Sequence, residues 1–485
     1  MNKIYQKTFN DTLTNSIARL LLIPQPFLLI PLLTNNLSLD EYGLWGLIFT
    51  TCSLISPLTS LGLGTSMSRF VSSDLSKKNM SEGFFTVLIA RLTITLVILI
   101  FFTFFSEKIA NNFFESRHEI VSITTIFIIL LTIEPIFIRL LRIIRKIKII
   151  SIIHLFDGYG TLIMYFIILK FFDGDLVDIA YSLLLFKVLL IVYLSFYFKS
   201  KIYFTNVNTI ILKKYLKFGL PTLPSSISFW FVNLSDRYII SFFAGASLLG
   251  AYTASYTIGS IPRVISSIIT FILLIAISNL YEKGLYNEVK NHLRFSLKYF
   301  LAFSIPYVFA CFFMSYDVLI LLTTNEIANL SGFIPFIVSI SYLFLGIYVV
   351  FSNCLLVTKK TNKIAFAWFL SLPVNIVFNI IFIPKIGIIA AAYSTLISYF
   401  ISMIYIIYFG YKEFSFDIDW GFIVKSFISS FFMTLFIINF KSESTSFVIL
   451  EIIISIFIYL AVIFVLKGFS KKEVNLLLSV IGKRI

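Results

Sequence analysis

Charge is scarce in this chain: 13% of its 485 residues are Asp, Glu, Lys or Arg, against 59% that are hydrophobic. With a mean hydropathy of +0.96, that balance excludes a soluble globular domain and describes a membrane protein. Cysteine is nearly absent as well. Cys52, Cys311 and Cys354 all fall inside apolar stretches, so neither a disulfide framework nor a CxxC pair is implied. Long polar connections are missing, which leaves no room for a soluble catalytic or nucleotide-binding domain. P-loop, HExxH and nucleophile-elbow signatures are lacking too, so direct ATP use is not expected. No catalytic residue, metal site or cofactor is predicted. No cleavable signal peptide is expected: residues 1–13 are polar, with Lys3 and Lys7, and a full-length apolar span follows, which reads as an uncleaved first helix.

What is there is a series of fourteen apolar stretches, near 14–34, 43–63, 83–105, 120–141, 150–172, 177–198, 218–243, 250–280, 294–314, 333–357, 363–383, 387–409, 422–440 and 446–466. They have the length of membrane helices, and strand-length alternation is absent, which excludes a barrel. The 39 Lys+Arg are sorted along the chain, most of them in the tails and even-numbered connections. Arg69/Lys77/Lys78, Arg139/Arg142/Arg145/Lys146/Lys148, Lys199/Lys201/Lys213/Lys214/Lys217 and Lys359/Lys360/Lys363 form the basic set. Residues 35–42, 244–249 and 315–332 carry no cation. Cytoplasmic loops retain Lys and Arg during insertion, so the sorting predicts that both termini are cytoplasmic. The net charge of +15 is then a matter of topology and anionic lipid, and no nucleic-acid partner is expected.

The pattern restarts after residues 199–217, the longest and most cationic interior connection. Glu41-Tyr42-Gly43-Leu44-Trp45 opens the second span, and Leu248-Leu249-Gly250-Ala251-Tyr252 opens the eighth. Both are short turns with Gly two residues before an aromatic. The predicted fold is an all-α polytopic membrane protein of fourteen transmembrane helices, with two six-helix lobes related by a pseudo-two-fold and two further C-terminal helices. Its divisions are 1–198, the linker 199–217, 218–410, and 411–485 with a cytoplasmic tail. Because six is even, the repeats are parallel, with an axis along the membrane normal. Pro24, Pro26 and Pro31 crowd span 1, and Pro221 and Pro224 open span 7, so the first helix of each lobe is expected to bend.

Ionisable groups inside spans are the functional pointers, since each costs ~3 kcal/mol or more at mid-bilayer. Arg263 stands deep in span 8, directly after Pro262. Arg237, Arg91, Arg19 and Lys187 are further interior cations, and Asp236, Asp157 and Glu134 are the interior carboxylates. Five cations against three carboxylates favour an anionic ligand such as phosphate or pyrophosphate, because Arg offers several fixed donors. The alternative is that these charges pair with one another and hold helices together. Glu134, Asp157 and Asp236 are also candidates for binding a coupling cation, with His154 one turn from Asp157. Asp173-Gly174-Asp175 has the spacing of the metal-binding motif of nucleotide-sugar glycosyltransferases, yet it lies in a short turn on the cation-poor side, where Asp-Gly is ordinary turn chemistry.

Leu39-Asp40-Glu41-Tyr42-Gly43-Leu44-Trp45, followed by Leu61-Gly62-Leu63-Gly64-Thr65-Ser66-Met67-Ser68-Arg69-Phe70, resembles the N-terminal lobe of bacterial polysaccharide flippases. These are the O-antigen and capsule exporters of the multidrug/oligosaccharidyl-lipid/polysaccharide (MOP) superfamily. Phe218-Gly219-Leu220-Pro221, Ser235-Asp236-Arg237-Tyr238-Ile239-Ile240 and Gly250-Ala251-Tyr252-Thr253-Ala254-Ser255-Tyr256 continue the resemblance, which spans roughly residues 10–410. It implies export of an oligosaccharide on undecaprenyl pyrophosphate, turned from the cytoplasmic to the periplasmic leaflet of the bacterial inner membrane. Alternating access, cavity arginines on the pyrophosphate, a coupling H+ or Na+, membrane lipids, and a polysaccharide polymerase and chain-length regulator as partners come with it. Asp236 and Arg237 match a recurring family pair, and Arg69 matches the end of the span 2 motif. A cation-coupled multidrug exporter of the same superfamily would want buried carboxylates and few cations. A membrane polysaccharide polymerase would carry a long exterior loop with catalytic charge. Here the interior balance runs the other way, five cations to three carboxylates, and the exterior connections are under 20 residues.

Overall fold

In the computed structural model of the protein, residues 14–15, 17–440, 445–470 and 473 are described. They form helices throughout, with no strand among the described residues. Thirteen of the helices are long and apolar enough to cross a bilayer. They begin with α1 (Ile17–Thr34), which is interrupted by a turn at Leu22-Ile23 just before Pro24. Next come α2 (Leu39–Ser60), α3 (Leu63–Val71), α4 (Lys77–Phe104), α5 (Ser106–Phe113), α6 (His118–Ile143), α7 (Ile147–Phe171) and α8 (Leu176–Phe198). After a non-helical segment follow α9 (Thr209–Gly219), α10 (Leu223–Gly259) and α11 (Pro262–Glu282). The remainder are α12 (Tyr286–Leu322), α13 (Asn325–Ser331), α14 (Ile334–Val357), α15 (Thr361–Ile386), α16 (Ile389–Glu413), α17 (Trp420–Asn439) and α18 (Thr445–Val465).

Local chemistry sets the ends. Ser38 and Glu41 close a reciprocal capping box on α2, and Asp175 and Asp178 do the same on α8. Asp175 is thus spent on capping, in keeping with a turn at 173–175. Proline interrupts the helices where the sequence places it: Leu220–Thr222 is a short 3-10 turn carrying Pro221 between α9 and α10. Within α10, Gly245 sits at φ 84°, a conformation glycine adopts without strain, and it kinks the helix between the expected spans 7 and 8. The second part of α10 together with α11 covers the expected span 250–280. Span 2 is also broken, into α2 and α3, by left-handed Leu61 and Gly62.

By contacts the chain forms two compact units. The first comprises residues 1–253 and 372–391; the second comprises 254–371 and 392–485. The core of the first unit gathers Leu63, Met67, Phe84, Phe137, Leu194 and Tyr215. In the second, α17 and α18 pack on α12 around Met314, Phe422, Met433 and Ile463, and the Tyr459 hydroxyl donates to the Ala302 carbonyl at 2.8 Å. Outward faces carry large apolar residues such as Phe104, Phe171, Phe431 and Phe457, all exposed. On a soluble surface these would drive association; toward acyl chains they cost nothing.

In the first unit, α2 and the second part of α10 cross at backbone contact. A methyl group built on Gly43 would lie 1.9 Å from the Ala246 carbonyl oxygen, and one on Gly250 would lie 2.4 Å from that of Leu39. The spacing from Gly43 to Gly250 is also that from Leu39 to Ala246, so the crossing repeats one contact twice. Gly46 faces Thr253 at the same offset. Glycine permits this approach, as small residues do wherever membrane helices touch closely. The loop before α6 ties the crossing down: Glu115 accepts from the Ala246 N–H at 3.0 Å, and Arg117 stands 3.6 Å from Glu41.

Candidate functional site

The interior charges divide into three settings. The first is neutralised. Arg237 donates to Asp236 at 3.0 Å and to the Asn233 carbonyl at 3.1 Å, and the Tyr252 hydroxyl completes the carboxylate. Asp236 is 1% exposed, so the cation beside it is needed to hold it there.

The second setting joins three helices of the first unit. Lys187 on α8 reaches Asp157 on α7 at 2.6 Å and Glu134 on α6 at 3.0 Å. His154 faces this group together with Arg19 and Arg142. Two carboxylates thus share one ammonium, with Arg19 and Arg142 also near the set.

The third setting is cationic. Arg91, 4% exposed in α4, donates to the Thr59 hydroxyl at 3.4 Å, while its Nε finds no hydrogen-bond partner among the described residues. Its charged neighbour is Arg139, whose guanidinium donates to Ser68 at 3.4 Å. Arg142 follows Arg139, and Arg19 follows Arg142. Among the described residues, no carboxylate pairs with Arg91 or Arg139. Like charges this close repel one another, and a bound anion would relieve the repulsion. Thr95 and Thr132, whose hydroxyls meet at 3.1 Å beside Arg91, add polar partners at the same depth.

Arg263 stands in the second unit at the start of α11. Its guanidinium bonds to the Tyr342 hydroxyl, with Tyr399 and Tyr256 beside it. Tyr256 and Tyr342 share a hydrogen bond at 3.0 Å, and the Tyr342 and Tyr399 rings meet edge to face at 5.8 Å. The three tyrosines are buried while Arg263 itself is exposed. The phenols therefore fix the base of a guanidinium whose remaining donors are accessible. Arg69 is exposed at the end of α3, its guanidinium 4.5 Å over the Phe218 ring.

The structure thus brings Lys187, Glu134 and Asp157 together, brings Arg237 onto Asp236, and leaves Arg91 and Arg263 without carboxylate partners among the described residues. Sequence reading passed over Arg139, which was grouped with the basic connection although it lies inside the span 120–141. It also passed over the tyrosines under Arg263, which read as ordinary apolar-span residues. A group of three or more His, Cys, Asp and Glu able to hold a metal ion is absent among the described residues.

Helices with interior charge and short connections make a polytopic membrane protein, and the family models that match the chain make it a transporter of the MOP superfamily. More narrowly, the chain belongs to the polysaccharide biosynthesis protein family, whose model matches residues 6–278. A second model, MatE, matches residues 221–381. Among known proteins, the chain is 21% identical over 180 residues to the probable low-salt glycan biosynthesis flippase Agl15 of Haloferax volcanii. That match spans 37% of this chain and 38% of the relative. Among solved structures, the lipid II flippase MurJ in an inward closed conformation superposes with a TM-score of 0.72 at 17% identity, covering 95% of this chain and 99% of that one. An inward-facing multidrug resistance MATE family transporter gives 0.66 at 14% identity, covering 82% and 98%. At these identities the likeness is one of fold.

Proposed function

We propose that the protein is a flippase that carries an oligosaccharide linked to undecaprenyl pyrophosphate from the cytoplasmic to the outer leaflet of the cell membrane, for surface polysaccharide such as O-antigen. The observation that carries this reading is the set of interior guanidiniums without carboxylate partners, Arg91 with Arg139 and Arg263 on its tyrosines. Each offers bidentate donors to phosphoryl oxygens. Membership of the polysaccharide biosynthesis family supports a glycan cargo. Arg19, Arg69 and Lys187 extend the basic lining in this reading, and Arg237 acts paired with Asp236. Two six-helix repeats would give alternating access about a fixed site, and the twofold repetition of the Gly43 and Gly250 contacts supports such repeats. Both termini would be cytoplasmic, with H+ or Na+ at Glu134, Asp157 or Asp236 as the coupling ion, and a polymerase and chain-length regulator acting on the product.

In a deletion strain, Arg263→Ala is expected to abolish surface polysaccharide at normal protein level, and Arg263→Lys to restore it in part, since one ammonium lacks the guanidinium fork. The lipid-linked unit should accumulate in the cytoplasmic leaflet. Full complementation by both Arg263→Ala and Arg91→Ala would remove the anion site from the mechanism. Accumulation of single units on the outer face would point to a polymerase instead.

A further inference from the structure

A cavity of about 720 Å³ opens in the first unit where α4 and α8 meet the segment that follows α8. Its lining includes Phe84, Phe85, Leu88, Phe196, Phe204 and, at the rim, Lys199. The segment at 202–208 is neither helix nor strand, and α4 bonds several of its polar groups. The Tyr203 N–H donates to Ser81 Oγ at 3.1 Å, the Asn208 N–H to Thr86 Oγ1 at 3.2 Å, and Asn208 Nδ2 to Glu82 at 3.3 Å. Non-helical backbone next to hydrocarbon requires such partners. The strap is therefore a fixed wall of the cavity. Its Phe204 ring, 70% exposed, meets Phe85 edge-on at 5.2 Å.

Cations ring this apolar groove. Besides Lys199, the Lys201 ammonium lies 3.2 Å over the Tyr197 ring, and that of Lys77 lies 5.9 Å from the centre of Tyr203. The nearby carboxylate, Glu82, is held by Asn208 and stands 3.9 Å from Lys78. The groove thus joins an aromatic wall to ammonium groups at the Lys/Arg-rich end of the bundle. That combination fits an amphiphile with a negative head and an apolar tail.

We propose that the groove binds an anionic phospholipid, with an acyl chain against Phe85, Phe196 and Phe204 and the phosphodiester on Lys199, Lys201 and Lys77. Ammonium groups beside a bilayer surface attract anionic heads, and exposed phenylalanine rings, apolar throughout, suit contact with acyl chains. A single acyl chain is much shorter than a polyprenyl chain of many isoprene units, and competition between the two tells this lipid from a polyprenyl one. The bound lipid would seal the strap to α4, and the proposal stands whether or not the protein is a flippase.

The test uses full-length protein reconstituted in phosphatidylcholine vesicles containing a minor share of phosphatidylglycerol, then extracted gently and examined by native mass spectrometry. Wild type is expected to retain phosphatidylglycerol in preference to phosphatidylcholine. Lys199→Gln with Lys201→Gln should lower that retention about tenfold or more. Val192→Trp, which fills the groove from an exposed lining position and keeps every cation, should lower it as well. Thermal unfolding in detergent checks that both variants are folded. Equal retention by wild type and both variants would overturn the proposal. So would equal retention of the two lipids by wild type, or displacement of phosphatidylglycerol by undecaprenyl pyrophosphate in competition.

Discussion

Lys187→Ala is expected to cost the first unit about 3–5 kcal/mol, the range for removing one partner of a buried ionic group. Its ammonium stands 2.6 Å from Asp157 and 3.0 Å from Glu134, on three different helices. Without it, Glu134 and Asp157 lose the one ammonium in direct contact with both, and Glu134 stays largely buried. The measurement is thermal unfolding of purified protein in detergent, followed by size-exclusion fluorescence. Lys187→Met combined with Glu134→Gln and Asp157→Asn should recover most of the loss, because the triple variant leaves no unbalanced charge. If the single variant melts as wild type does, the three groups do not hold α6, α7 and α8 together. If the triple variant is stable yet inactive while Lys187→Arg is active, the set also serves transport.

The second large effect concerns the crossing of α2 and α10. Gly43→Leu places a side chain where even a methyl group would sit 1.9 Å from the Ala246 carbonyl oxygen. Overpacking a flexible core costs about 1–3 kcal/mol; here the obstacle is backbone, which yields less readily than a side chain. We expect Gly43→Leu to lower the melting temperature and abolish complementation, and Gly43→Ala to do so to a smaller degree. Gly421→Ala provides the comparison, since the nearest atom to its added methyl is Asp419 Oδ1 at 3.7 Å. Equal behaviour of Gly43→Ala and Gly421→Ala would show that the helices part there without cost.

Much of this molecule was legible in its sequence because one solvent imposes one rule. Hydrocarbon requires helical spans, so apolar run length located them, and prolines at 24 and 221 located the interruptions in α1 and before α10. The buried ionisable residues were legible for the same reason: each is expensive, so its presence signals a partner or a ligand. Which of the two it signals was not legible. Lys187, Glu134 and Asp157 come from three helices, and nothing in their spacing reveals that they meet, whereas adjacent Asp236 and Arg237 pair within one helix turn. Arg139 lies close enough to the end of α6 to resemble a loop cation, and only the fold sets it beside Arg91. The unit boundary also follows from long-range contacts: residues 372–391 group with the first unit although the chain reaches them from the second.

At the α2–α10 crossing, a surface in which Leu39 meets Gly250 just as Ala246 meets Gly43 is self-complementary, the property that defines an isologous dimer interface. Two copies of one such helix have the shape to pair with each other, since each supplies the glycine that the other's backbone approaches.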